Sequence, residues 1–190
     1  MTTNRKCKDK NVKATALQLK KRPSWAKVYA GYPKRVSRDF LIPQDLESNQ
    51  VFELIFGKNY NKTKFTNACA TRVSLGLLNA GLTISPRAFL IQDKSHPHAG
   101  KGIETIASTL RDPLVKPHYW GEPDVIICNA NNLAKVANII GNRNGVYFIS
   151  GNFSGVSGHA TLWLGAYRNV IGSNNYITTG RTVSFWELSA

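Results

Sequence analysis

No apolar run of about 18 residues, the length a membrane-crossing helix needs, occurs in this chain of 190 residues. A transmembrane helix is therefore absent, and no membrane insertion is expected. Met1 to Lys13 is basic and polar with no apolar segment, so no secretory signal peptide is expected. The chain should be made in the cytoplasm, and any action elsewhere needs another route out. Cysteine is scarce. Cys7, Cys69 and Cys128 are an odd number without a C-x-x-C pair, so neither a disulfide framework nor a zinc knuckle is indicated. One bridge, such as Cys7 to Cys128, has no positive support. Cys128 closes the apolar run Val125-Ile126-Ile127 and reads as a buried core thiol, Cys7 as an exposed one. There is no Walker loop, no dinucleotide fingerprint, no internal repeat and no low-complexity segment. A nucleotide cofactor has no place to bind, and no other cofactor is expected.

Acidic residues are also few, 11 against 25 Lys and Arg, for a net charge of +14. The imbalance is local. Residues 1–38 carry twelve Lys/Arg and one acid, Asp9, whereas residues 39–190 are nearly balanced. The reading is a basic, flexible N-terminal arm (1–21) before one domain (22–190), with the arm suited to an anionic partner or to plain solvation.

Hydrophobic spacing places helices near Thr15 to Lys21, after Ser24 (Trp25, Val28, Tyr29, Tyr32), over Asn49 to Phe56, from about Cys69 to Gly81, over Gly102 to Leu110, and over Asn131 to Ile140. Residues 83–101, with Ser85-Pro86 and Ser95-His96-Pro97-His98, read as loop. Strands are expected at Asp124 to Cys128, Gly145 to Ser150, from His159, and at Val183 to Leu188. Helices first and antiparallel-type strands later indicate an α+β fold.

Two segments carry chemistry. Phe65-Thr66-Asn67-Ala68-Cys69-Ala70-Thr71-Arg72-Val73-Ser74 places Cys69 in the first turn of a helix capped by Thr66 or Asn67. Gly158-His159-Ala160-Thr161-Leu162-Trp163 opens a strand with His159 after a Gly/Ser-rich loop. Free backbone N–H groups at a helix start and a nearby imidazolium both favour a thiolate, which lowers a thiol pKa of about 8.5 toward neutrality. The pair suits acyl transfer. Cys69 attacks an amide carbonyl, His159 moves the proton, and the Cys69 N–H stabilises the oxyanion. Asn67 either adds a donor or serves only as the cap. No Asp follows His159, so Asn169, Asn174 or Asn175 must orient the imidazole. His96, His98 and His118 have no acid cluster around them, so no metal site is expected.

These two segments resemble the cysteine and histidine motifs of the fourth family of type VI secretion amidase effectors. So do Arg22-Pro23-Ser24-Trp25 through Tyr32-Pro33 and the closing Val183-Ser184-Phe185-Trp186-Glu187-Leu188. The likeness spans roughly residues 22–188. The resemblance implies a papain-like cysteine peptidase fold, N-terminal helices packed on an antiparallel sheet. It implies cleavage of the γ-D-glutamyl–meso-diaminopimelate bond in the peptidoglycan stem peptide, with Arg72 and Gly158 beside the substrate. It implies loading onto a type VI secretion delivery component, action in the periplasm of a rival cell and a cognate immunity protein. The family has an Asp about a dozen residues after the histidine. Here the corresponding place falls on Gly172, so Asn174 or Asn169 substitutes or activity is reduced. Two other readings compete: a wall- or partner-binding protein on the same fold that has lost catalysis, and a nucleic-acid binder using the basic arm. The second lacks any recognised module, so no nucleic acid is expected, and it predicts binding that falls steeply with salt.

Overall fold

In the computed structural model, which describes residues 7–83 and 89–190, helices pack on an antiparallel sheet in an α+β fold. Ser85-Pro86 and the first six residues of the basic arm lie outside the described residues. The helices are α1 (Ala16–Lys21), α2 (Trp25–Gly31), α3 (Ser48–Phe56), α4 (Cys69–Asn79), α5 (Ala107–Leu114) and α6 (Leu133–Ile140). The strands are β1 (Lys10–Asn11), β2 (Lys34–Arg35), β3 (Gln44–Asp45), β4 (Phe89–Leu90), β5 (Gly102–Ile103), β6 (Val125–Ile127), β7 (Gly145–Gly151), β8 (His159–Leu164), β9 (Asn169–Val170) and β10 (Arg181–Glu187). Among the described residues, no helix is long and apolar enough to cross a membrane.

The main sheet runs β1-β6-β10-β7-β8-β9, antiparallel throughout. Its three long strands are buried on both faces, so they read as continuous apolar runs whose alternate residues feed two cores. Val146 and Phe148 of β7, Ala160, Leu162 and Leu164 of β8 and Trp186 of β10 join Val73 and Leu77 of α4 in one core. Tyr147, Ile149, Trp163, Val183 and Phe185 point the other way and pack with Val136 and Ile140 of α6. A third cluster joins Val51, Phe52 and Ile55 of α3 to Leu75 and Leu78 of α4 and to Ile103. α4 thus lies between two cores, and all its residues except Asn79 are buried.

Three segments differ from the sequence expectation. The helix expected over Gly102 to Leu110 starts later. Gly102 and Ile103 pair with Leu90 and Phe89, Ile106 is still extended, and the helix runs from Ala107 through Pro113 to Leu114. Ile103 is extended because it fills the third core, which a helical phase at that point would empty. Residues 7–21 are tied to the body. Lys10 and Asn11 pair with Ile126 and Val125, Arg143 donates to Val12 O and to Asn11 Oδ1, and Asp9 Oδ1 accepts from Cys128 N. That pairing brings Cys7 to Cys128, and the two form a disulfide with 5.9 Å between their Cα atoms. Cys128 is therefore bridged and half-buried, not the core thiol that the apolar run suggests.

A buried ion pair joins both ends of the fold. The Arg22 guanidinium grips both oxygens of Asp124 (2.5 and 3.1 Å) and donates to Glu187 O, while Asp124 Oδ2 also accepts from Glu187 N. Trp25 N donates to Ser189 O, so the chain closes on its own start.

Candidate active site

Cys69 is the first residue of α4, and its spacing with Val73 and Leu77 turns one stripe of the helix onto β8. The N-cap is Ala68, which makes no side-chain cap bond. Asn67 acts one residue earlier instead, its Oδ1 accepting from Cys69 N at 3.0 Å. This corrects the reading of the Cys69 N–H as a ready oxyanion donor, because Asn67 already holds it. Asn67 itself is held by that bond and stands at the junction of two cavities.

The thiol receives N–H groups from Ala70, in its own helix turn, and from Ala160, the neighbour of His159 on β8. The contact of α4 with β8 therefore sets Cys69 beside the first residues of the histidine strand. Burial dominates the thiol's ionisation and pushes its pKa up. The Ala160 and Ala70 N–H groups and the Arg72 charge pull it down, and Asp45 pushes it up again. The net direction is upward, so the helix start does not by itself produce a free thiolate. The sequence counted the N–H groups and could not count the burial.

His159 opens β8 opposite Ile149 and is buried. Its ring packs on Tyr176, centroids 4.6 Å apart. Burial, and secondarily the Arg72 charge, hold its pKa down to about 3. Its Nε2 is buried without a hydrogen-bond partner. No hydrogen bond joins the ring to the thiol, so the resting pair is a neutral thiol beside a neutral imidazole. Gly158, just before it, has φ +141°, and a Cβ there would meet Ile149 O at 2.6 Å. Only glycine allows β8 to enter the sheet so close to β7.

The cleft has two halves that share Asn67. An apolar half of about 260 Å³ is lined by Cys69, Ile106, Ala107, Val156 and Gly158 among others. A polar half of about 350 Å³ is lined by Asp45, Arg72, Gly172, Asn174 and Tyr176 among others. Arg72 also has a structural role. Its Nε and Nη2 both donate to Leu46 O (2.9 and 2.7 Å), and its Nη1 lies 3.9 Å from Asp45 Oδ2. It pins the β3–α3 segment to α4 and forms the floor of the polar half.

The amides named as orienting residues do not meet the imidazole. Asn169 lies on β9 opposite Leu164, and its Oδ1 accepts from Val170 N and from Asn175 Nδ2. Asn175 Oδ1 accepts from Ile177 N. Asn174 reaches the polar half of the cleft but makes no hydrogen bond to His159. The local turn network takes both: Asn175 bonds backbone two residues on, as Asn side chains readily do, and Asn169 holds Val170 N and the Asn175 amide. Sequence reasoning missed Asp45, Tyr32, Tyr176 and the Ala160 N–H. Asp45 has no motif around it. It reaches the cleft because β3 packs against residues 171–173, a contact that only the tertiary fold creates. His96 and His98 sit together in their own loop, ring centroids 5.8 Å apart, and His118 packs on Tyr119.

With this geometry in hand, comparison with known proteins is informative. The profile of the family described as type VI secretion system (T6SS) amidase effector protein 4, Tae4, matches residues 65–186, which span both motifs. No curated protein matches. Among solved structures, the effector–immunity complex Tae4–Tai4 from Salmonella Typhimurium is similar at 22% identity with a TM-score of 0.63, covering 88% of this chain and 99% of that one. The Tae4–Tai4 complex from Enterobacter cloacae is similar at 18% identity and a TM-score of 0.62, covering 88% and 99%. Tae4 from Enterobacter cloacae on its own gives 19%, 0.60, 88% and 98%. At these identities the structures speak for the fold.

Proposed function

The chain belongs to the Tae4 family of type VI secretion amidase effectors, and from that membership we propose that it hydrolyses the γ-D-glutamyl–meso-diaminopimelate bond of peptidoglycan stem peptides through Cys69 and His159. The observation that carries this reading is the seat of the Cys69 thiol. It lies at a helix start, beside the N–H of the residue next to His159, and lines the apolar half of the cleft two residues from Asn67, which both halves share. Because burial keeps thiol and imidazole neutral, proton transfer accompanies attack. As Cys69 Sγ bonds to the carbonyl carbon, its proton passes to His159. The Asn67 amide N–H, oriented by its bond to Cys69 N, faces the developing oxyanion. The tetrahedral species collapses, the C–N bond breaks, and the amine of diaminopimelate leaves with the His159 proton. Water, deprotonated by His159, then cleaves the thioester and restores the thiol.

Two of the similar solved Tae4 structures, from Salmonella Typhimurium and Enterobacter cloacae, are complexes with Tai4 immunity proteins. A cognate immunity protein for this chain, and action in the periplasm of a target cell after delivery by a type VI secretion component, complete the proposal. The test is mass spectrometry of purified muropeptides incubated with the wild type and with Cys69→Ala. A product cut after D-glutamate, formed only by the wild type, is expected. Equal cleavage by Cys69→Ala would sink the assignment. A second reading, a wall- or partner-binding protein that has lost catalysis, draws on the unpartnered His159 Nε2. It predicts intact muropeptides across pH 5–9 with folded protein.

A further inference from the structure

Residue 172 has no side chain, and the space beside it is taken by a carboxylate from another part of the chain. A Cβ built on Gly172 would sit 3.3 Å from Asp45 Oδ2. Asp45 closes β3, next to the turn at residues 171–173. Its Oδ1 accepts the Tyr32 hydroxyl at 2.8 Å, and that hydroxyl lies 3.2 Å from Thr161 Oγ1. Thr161 is two residues from His159 on the same face of β8. Arg72 lies 3.9 Å from the other oxygen. The carboxylate, Gly172, Asn174 and the Tyr176 ring that packs on His159 all line the same polar half-cleft.

Resting on the amidase reading above, we propose that Asp45 is the positioning carboxylate of this site, supplying from β3 the negative charge that offsets Arg72 and stabilises the His159 imidazolium as the reaction forms it. Two observations call for such a group. His159 Nε2 is buried and unpartnered, and the nearby amides are engaged elsewhere or not bonded to the ring. An imidazole that must accept a proton in a buried site beside an arginine needs a compensating anion. The charged and titratable groups around the pair are Arg72 and Cys69 of α4, Tyr32 after α2, Glu47 before α3 and Tyr176. Burial raises the Asp45 pKa, and Arg72 and the Tyr32 hydroxyl pull it back. An exposed carboxylate would be screened by water, whereas this one is largely enclosed, beside Arg72 and the Tyr32 hydroxyl.

Asp45 acts through His159, so its removal should lower turnover and leave substrate binding. Asp45→Asn should cut kcat by about 10- to 1,000-fold with KM within about twofold. Moving the carboxylate separates charge from scaffold. The double variant Asp45→Ala/Gly172→Asp returns an acid to the same space from the opposite wall, and should recover at least about tenfold over Asp45→Ala. Circular dichroism checks folding, and the double variant carries the test if Asp45→Asn does not fold. Unchanged kcat in folded Asp45→Asn, or a double variant as slow as Asp45→Ala, overturns the role of Asp45 while wild-type cleavage keeps the amidase reading. A wild type that cleaves no muropeptide overturns both.

Discussion

Burial holds His159 neutral across a pH range in which an exposed histidine is charged. Its folded pKa is about 3, against about 6.5 in an unfolded chain. Between those values the unfolded chain takes up a proton that the folded one refuses. Stability is therefore full above about pH 6.5 and falls as pH drops toward 3, by about 1.4 kcal/mol per unit and on the order of 5 kcal/mol in all. His159→Gln removes this dependence. Urea unfolding at pH 7, 5.5 and 4 should show a shallower loss for His159→Gln than for the wild type, by close to one proton. Parallel losses would mean that the ring is protonated in the fold. At this scale the nucleophile and the base were legible in the sequence, because a cysteine after Asn67-Ala68 and a histidine after Gly158 carry local signatures. The balance of their ionisation was not legible. It depends on desolvation and on Arg72 and Asp45, which come from positions that no local window contains.

Elements meet here through a few polar clamps, of which Arg22–Asp124 is the most enclosed. It ties the residue after α1 to the residue before β6 and to the end of β10, with both side chains fully buried. Removing one partner strands the other charge. Asp124→Leu alone should cost about 3–5 kcal/mol, whereas Arg22→Met with Asp124→Leu should cost clearly less. In thermal unfolding the single variant should drop by roughly 10 °C. A double variant no more stable than the single one would count against the clamp. The regular elements of the core were readable from periodicity: α3, α4, α6, β7 and β8 fall where apolar spacing puts them. The short pieces β1 to β5 were not. Two-residue strands have no period to detect, and each exists because a distant segment pairs with it, as Phe89–Leu90 does with Gly102–Ile103. The helix expected over Gly102 to Leu110 failed for that reason, since Ile103 serves a core instead of a helix stripe.

The whole molecule is closed by one covalent link, Cys7–Cys128, across a sequence separation of 121 residues. A bridge over so long a loop contributes about 2–5 kcal/mol, chiefly by restricting the unfolded chain. It also fastens the basic arm at Lys8, Lys10 and Lys13 to the sheet edge. Under reducing conditions, or in Cys7→Ser, stability should fall by that amount, and trypsin should cut at those lysines well before the body. Equal digestion of oxidised and reduced protein would show that β1 pairing alone holds the arm. Cytosolic thiols stay reduced and those in oxidising compartments pair, so the covalent part of this fastening belongs to an oxidising setting.

The position of β10 has a consequence for synthesis. It is the final long strand to be made, yet it sits between β6 and β7 and, among the described residues, forms the only ladder joining them. Without it the sheet divides into a β1–β6 ribbon and a β7–β8–β9 ribbon. A growing polypeptide can thus carry both Cys69 and His159 out of the ribosome while the sheet is still in two parts. The six-stranded sheet is complete only once residues 181–187 have been made.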